Sequence, residues 1–235
     1  MSAFMLKFIA FFLMVMDHIF FYIADTPIWF TYLGRIVAPI YFFLLVESFF
    51  HTRDRKKFTI RLFSFSFIAF IVLNVMFKQP MNIFASMAMG ILMLDIIEFI
   101  KKNKGNVLTT ILGVIGVIVV AILSLYTEAS YYGVGMILIF YFLRNNKLLM
   151  SLSYILFSIF EVLFVAGTEF FVQELFIGNY QWMMVFAILP ILLYNGKPGN
   201  RSEFFKYFFY VGYIVHIVIL LIIGNTINTA GFGLN

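Results

Sequence analysis

Long apolar runs, broken by short clusters of charged and turn-forming residues, dominate this chain. An apolar stretch of about 20 residues is enough to cross a bilayer as a helix. The pattern predicts nine spans: Phe4–Ala24, Tyr32–Phe50, Ile60–Phe77, Asn82–Ile100, Val107–Tyr126, Tyr131–Leu143, Leu148–Phe171, Tyr180–Tyr194 and Phe204–Gly224. The sixth and eighth are short, so they extend into their loops or lie partly inside the bundle. The longest connections are Arg53–Thr59 with its flanks, Glu169–Asn179 and Asn195–Glu203, and the tail Asn225–Asn235 is small and polar. No repeat or inverted similarity between halves is visible, which weighs against the transporters built from such repeats. The expected fold is all-α, a polytopic integral membrane helix bundle forming a single transmembrane domain over residues 1–235.

Composition supports lipid as the main solvent. Apolar residues make up 63% of the chain, Phe alone supplies 33 positions, and only 11% are charged, where a soluble domain carries about a quarter. Met1 to Ala24 has the look of a secretory leader, but its apolar run is too long and Asp17 and His18 interrupt it, so it is taken as the first span. There are no cysteines, which excludes disulfides, thiolate metal sites and a cysteine-borne acyl intermediate. The three histidines His18, His51 and His216 are too dispersed to suggest a metal site.

Charge gives the chain a direction. Cytoplasmic loops collect Lys and Arg. With the N-terminus inside, the inner set holds Lys7, Arg53, Arg55, Lys56, Lys57, Arg61, Lys101, Lys102, Lys104, Arg144, Lys147, Lys197, Arg201 and Lys206, fourteen of the sixteen basic residues. Only Arg35 and Lys78 fall outside, where Asp25, Glu128, Glu169 and Glu174 also lie. The expected orientation is N-terminus in and C-terminus out, in the plasma (cytoplasmic) membrane. The net charge of +5 follows from this topology and implies no nucleic-acid partner.

Ionisable side chains at membrane depth are costly and mark functional candidates. They are Asp17 and His18 in the first span, Arg35 and Glu47 in the second, Asp95 and Glu98 in the fourth, Glu161 in the seventh and His216 in the ninth. His18 lies roughly 6 Å and Arg35 roughly 9 Å outward of the middle of their spans, and His216 and Glu161 fall near the midplane. His18, Arg35 and His216 are therefore placed to meet in the outer half of one bundle. Asp17 and Arg35 form either part of a site or a structural ion pair. His18 and His216 are either site residues or partners in helix–helix hydrogen bonds. Glu98 with Lys101 or Lys102 is a surface pair at helical spacing. Pro39 lacks an N–H, so the Arg35 carbonyl four residues earlier loses its helical partner and the helix bends there. Pro190 does the same for Phe186.

These segments together resemble the TraX family. The resemblance is carried by Lys7-Phe8-Ile9-Ala10 with Asp17-His18-Ile19, by Gly34-Arg35-Ile36 with Pro39-Ile40 and Phe42, and by Glu47, Thr52, Phe58 and Arg61-Leu62-Phe63. It continues through Glu128 to Arg144 and ends in Tyr194-Asn195-Gly196-Lys197-Pro198-Gly199 and Lys206-Tyr207-Phe208-Phe209-Tyr210 through His216. It covers nearly the whole chain. It implies acyl transfer, since the namesake of conjugative plasmids is associated with N-terminal acetylation of pilin, and it implies a distant similarity to the acyltransferase-3 group of membrane enzymes. The chain is accordingly expected to be an acetyltransferase using acetyl-CoA as donor, with no metal.

Under that expectation His18 is the general base, suited to neutral pH. Arg35 stabilises the oxyanion, Asp17 holds Arg35, and His216 completes the catalytic set. Neighbours on a helix point roughly 100° apart, so Asp17 does not orient the His18 imidazole, and Glu161 or Asn74 is expected to do so. Arg53, Arg55, Lys56, Lys57 and Arg61 bind the donor's phosphates or, alternatively, set topology against anionic lipid. Glu47, Asn74 and Glu161 line the substrate path, and the acceptor is extracytoplasmic, a peptide N-terminus or an envelope hydroxyl. Two other readings stay open: a proton-coupled transporter using Asp17, His18 and Glu161, and a non-catalytic membrane partner of a secretion system.

Overall fold

The computed structural model describes residues 1–78, 82–160, 162–167 and 169–231, without the side chains of 164, 165 and 228–231. Within those residues every regular element is helical. They are α1 (Ala3–Tyr22), α2 (Trp29–Gly34), α3 (Val37–His51), α4 (Arg55–Phe77), α5 (Ile83–Lys102), α6 (Val107–Ser124), α7 (Ser130–Phe142), α8 (Lys147–Ile159), α9 (Val162–Val165), α10 (Phe171–Gln173), α11 (Ile188–Leu192) and α12 (Glu203–Gly231). A π-helical turn (Glu174–Gly178) and a 3₁₀ helix (Gln181–Ala187) lie between α10 and α11.

Polar caps set where the long helices begin. Ser2, Asp54, Asn82, Asn106 and Asn146 each accept a hydrogen bond from the backbone N–H three residues on, satisfying a donor that the first turn leaves orphaned. The N–H donor of Lys57 holds the Asp54 carboxyl below the ordinary carboxylate range.

Among the described residues six helical stretches are long and apolar enough to cross a membrane: Ala3–Tyr22, Trp29–His51, Arg55–Phe77, Ile83–Lys102, Val107–Ser124 and Glu203–Ile227. A seventh is obtained if Phe171–Gly178 and Gln181–Leu192, bent by 67° at their junction, count as one span. The chain is thus a multi-pass membrane protein. Apolar side chains remain outward on these helices, among them Val107, Leu108, Leu112, Ile115 and Ile118 of α6, a surface suited to lipid.

Against the nine spans expected, six stretches, or seven with the bent pair, reach spanning length among the described residues. The expected eighth, Tyr180–Tyr194, is a 3₁₀ helix followed by the short α11, and three other elements differ as follows. The second span is divided at Arg35-Ile36, where Ile36 N–H turns back to the Leu33 carbonyl in a 3₁₀ contact, the bend that Pro39 dictates. The third begins at Arg55 rather than Ile60, because Asp54 caps it, so Arg55, Lys56 and Lys57 occupy its first turn. The seventh, expected to run unbroken over Leu148–Phe171, stops at Ile159, and downstream Gly167 takes φ +93°, a conformation that ends helices. Ser130–Phe142 and Lys147–Ile159 are apolar but only 13 residues each.

Two compact units are distinguished: residues 1–41 with 143–235, and residues 42–142. In the second unit Phe42, Leu45, Phe49, Leu62, Leu73, Ile91 and Phe140 are buried, and Asn82 Nδ2 donates to the Ser66 carbonyl, tying the start of α5 to α4. In the first unit, Leu6, Ala10, Ile40, Tyr154, Met184 and Ile217 are buried, with the Tyr154 hydroxyl donating to the Met184 carbonyl.

The packing that positions the site is α1 on α12. Phe4, Phe11 and His18 recur every seven residues, which keeps them on one side of a helix. Phe4 meets Phe205 at 4.9 Å between ring centroids, Phe11 meets Phe209 at 6.2 Å and His18 meets His216 at 4.9 Å. Beyond them, Gly224 lies against the Tyr22 carbonyl, where any Cβ would collide with that backbone oxygen. The contacts ascend in the same order on both helices, so α1 and α12 run parallel. The start of α1 is fixed by the Asn195–Gly199 loop: Ala3 and Phe4 N–H groups donate to the Lys197 and Pro198 carbonyls at 2.9 and 3.0 Å.

Candidate functional site

Two polar pairs leave neighbouring positions of α1 within the first unit. From Asp17, the carboxylate meets Arg35 at the α2–α3 break. Arg35 Nη2 donates to both Asp17 oxygens at 3.0 and 2.9 Å, and Nε donates to the Thr31 carbonyl at 3.4 Å. Asp17 and Arg35 retain 13% and 20% side-chain exposure, so the pair is largely shielded from bulk water, and losing either partner would leave the other an uncompensated ion.

Gly34 makes this contact possible. A Cβ at that position would overlap the Asp17 carboxyl and its Cβ. We predict that Gly34→Ala costs about 1–3 kcal/mol through overpacking and lowers the melting temperature of the detergent-purified protein.

A third contact to Arg35 comes from a residue that sequence reasoning missed. Gln181, at the start of the 3₁₀ helix after the bend, accepts from Arg35 Nη1 through Oε1 at 3.2 Å. Tyr180 and Phe21 place their rings 5.6 and 5.8 Å from the guanidinium carbon, within cation–π range. The Tyr32 hydroxyl donates to the Phe176 carbonyl, which fixes the segment before the bend beside the same arginine. Gln181 opens an otherwise apolar stretch, and a shielded amide there needs a partner as an ionisable group does.

The second pair is His18 with His216. Nδ1 of His18 and Nε2 of His216 lie 2.6 Å apart, and the rings are nearly parallel at 16°. His216 Nδ1–H donates to the Gly212 carbonyl at 2.7 Å. Tyr213 stands edge-on to both rings, at 6.3 and 5.9 Å, and Phe11 and Tyr22 close the sides at 5.7 and 5.9 Å. Chemically, an imidazole pair in a half-buried aromatic setting can accept, hold and return a proton, beside a fixed cation that can stabilise developing negative charge.

His18, Arg35, Asp17 and His216 thus come together in the first unit. At His18 Nδ1 the contact expected from Asn74 or Glu161 is made by His216. Asn74 belongs to the second unit, where its carbonyl accepts from Lys78 N–H at 3.0 Å, and Glu161 lies outside the described residues.

The basic run and Glu47 also belong to the second unit. Arg53, Lys56 and Lys57 are exposed. Arg55 is turned inward, its Nε donating to the Phe49 carbonyl at 3.2 Å and its guanidinium 4.1 Å above the Phe49 ring. Arg61 lies over the Phe58 ring at 5.4 Å, and Lys57 pairs with Asp54 at 3.3 Å. The Glu47 carboxylate is 4.0 Å from His51. Glu98 and Lys101 form the expected helix-end pair at 3.5 Å, bridged by Tyr141, whose hydroxyl donates to Glu98 and accepts from Lys101 at 2.7 Å.

Fold and site define a multi-pass helical membrane protein that holds a histidine pair beside a shielded ion pair. The chain belongs to the TraX family, whose pattern it matches over residues 2–224. A relative from Dichelobacter nodosus, described as a probable fimbrial assembly protein FimC of serogroup H1, is 27% identical over 239 residues, 93% of this chain and 94% of the relative. No solved structure matches the chain.

Proposed function

We propose that the protein is a membrane-embedded acetyltransferase that moves acetyl from acetyl-CoA to an extracytoplasmic acceptor, the N-terminal amine of a pilin-type subunit or a hydroxyl of an envelope molecule. The observation that carries this reading is the hydrogen-bonded His18–His216 pair beside the Asp17–Arg35 pair. Family membership supports it, and the relative's description as a probable fimbrial assembly protein fits an acceptor of the pilin type. His18 removes the proton of the acceptor amine or hydroxyl as that atom attacks the thioester carbonyl. Arg35 has five N–H donors; Asp17, Thr31 and Gln181 engage its three nitrogens, and an Nη1 proton is assigned to the tetrahedral oxyanion. As the oxyanion collapses the carbon–sulfur bond breaks, and His18 returns the proton to the departing thiolate.

Nine spans with the N-terminus in the cytoplasm fit this reading. With nine crossings, as with seven, the first and last helices run the same way, as α1 and α12 do. The exposed Arg53, Lys56 and Lys57 are assigned to the donor's phosphates, at the cytoplasmic face of the plasma membrane. We expect Arg53→Ala with Lys56→Ala to raise KM for acetyl-CoA by roughly tenfold or more, in line with about 1.5–3 kcal/mol for a lost charged hydrogen bond. Arg55→Ala should instead lower the melting temperature, because its guanidinium is committed to Phe49.

A non-catalytic role in fimbrial assembly is the second reading, favoured by the relative's name. The test is incubation of membranes containing or lacking the protein with radiolabelled acetyl-CoA. Protein-dependent label in peptide or saccharide, lost in His18→Ala, supports the enzyme; assembly that proceeds unchanged with His18→Ala supports the scaffold.

A further inference from the structure

The geometry points to His216 as a positioning residue that fixes the tautomer of His18: the Gly212 carbonyl commits the His216 proton to Nδ1, His216 Nε2 then accepts from His18 Nδ1–H, and His18 is left with a bare Nε2. This inference rests on the acetyltransferase reading for its consequence, and on hydrogen-bond geometry alone for its content.

A neutral imidazole carries one N–H and one lone pair. A carbonyl only accepts, so the 2.7 Å contact with Gly212 places the His216 proton on Nδ1. Gly212 is four residues before His216, and its oxygen has a second lone pair beyond the one used by the helical ladder, so α12 supplies this acceptor without losing a backbone bond. The lone pair of His216 is therefore on Nε2. At 2.6 Å from it stands His18 Nδ1. Two lone pairs at that distance repel; a proton between them makes a strong hydrogen bond, and it has to come from His18. The remaining nitrogen of His18, Nε2, is then the basic one.

The consequence is directional. Which ring nitrogen of a histidine carries the proton is set by the hydrogen bond that the other nitrogen makes. A carboxylate often makes that bond, but the carboxylate next to His18 in the chain, Asp17, is given to Arg35. A backbone carbonyl acting through a second imidazole takes the place of the acid. His216 does not touch the reacting atoms in this arrangement; it keeps the His18 ring turned and its Nε2 unprotonated.

The seven-residue spacing of Phe4, Phe11 and His18 against α12 holds the two rings in register, with Phe11 and Tyr213 on the flanks of His216. The order of contacts, rather than any single one, makes the pair a fixture of the α1–α12 seam.

With only three histidines in the chain, the test is direct. The full-length protein with His51→Gln, labelled with ¹⁵N-histidine and held in lipid nanodiscs, leaves two imidazoles to observe. At alkaline pH, where free imidazoles are neutral, we expect both to show protonated Nδ1 and bare Nε2, with a coupling across the hydrogen bond from His18 Nδ1 to His216 Nε2. A proton on His18 Nε2 would overturn the inference. The second measurement is acetyl-CoA turnover. His216→Gln, whose Oε1 can accept where Nε2 does, should retain most of kcat, while His216→Ala loses about 10²–10⁴-fold, the span of general-base catalysis, with KM for acetyl-CoA unchanged. Equal losses in both variants would also overturn it. The nitrogen spectrum needs no substrate, so a protein with the stated tautomers but no turnover would sink the acetyltransferase reading and leave the tautomer assignment standing.

Discussion

His18→Ala is expected to reduce acetyl-CoA turnover by about 10²–10⁴-fold, the contribution of a positioned general base, without loss of fold. The ring is half-buried, and its packing contacts are to Tyr22, Tyr213 and His216 on the α1–α12 seam. Removing it opens a small void there but leaves no charge unpaired, because the Asp17–Arg35 pair does not use it. Circular dichroism and a melting curve in detergent should therefore stay close to wild type while turnover collapses. The loss should fall on kcat rather than on KM, since the proton transfer assigned to His18 belongs to the transition state. A variant with unaltered turnover would remove His18 from the chemistry.

The second large effect concerns Asp17 and Arg35. Asp17→Asn keeps the shape of the side chain and removes its charge, leaving a shielded guanidinium without a counter-ion. Truncating one partner of a buried charge pair costs about 2–5 kcal/mol, and the exposure of 20% at Arg35 places this pair toward the lower half. Arg35→Met alone strands the carboxylate and should cost a similar amount. Asp17→Asn combined with Arg35→Met removes both charges and should be more stable than either single variant, because most of the single-variant cost is the unpaired ion. Melting temperatures of the four proteins in one detergent decide the matter. Additive losses would mean that the pair contributes nothing as a pair. Turnover is expected to stay low in the double variant even though stability returns, since Arg35 is assigned to the oxyanion as well as to Asp17. That split between stability and activity separates a structural ion pair from a functional one.

Much of the membrane architecture was legible in the chain. Apolar run length located the six helices of spanning length among the described residues, although it also read as full spans the runs around Ser130–Phe142, Lys147–Ile159 and Gln181–Leu192, which fold as shorter or broken helices. Pro39 foretold the break beside Arg35. What the runs could not give was the rotation of each helix about its axis, because lipid accepts an apolar residue on any face and nearly every face here is apolar. Depth along the spans already placed His18, Arg35 and His216 to meet, but the group orienting the His18 ring was sought on Glu161 or Asn74, whereas His216 stands against its Nδ1. The signal was present: Phe4, Phe11 and His18 are spaced by sevens, as are Phe209 and His216, a register that joins the two histidines once α1 and α12 are taken as neighbours. Arg55 shows the complementary limit. A run of basic residues looks uniform in sequence, yet the cap at Asp54 starts a helix there, and Arg55 turns onto Phe49 while Arg53, Lys56 and Lys57 stay exposed. Gln181 was passed over because it carries no charge, although a half-buried amide needs partners as an ion does.

The most direct test of the central claim is saturable binding and slow hydrolysis of radiolabelled acetyl-CoA by the purified protein, with His18→Ala alongside. The account predicts that wild type binds the donor saturably and turns it over, and that His18→Ala binds equally well and loses the turnover. Absence of saturable binding by wild type, in protein shown by its melting transition to be folded, would contradict it.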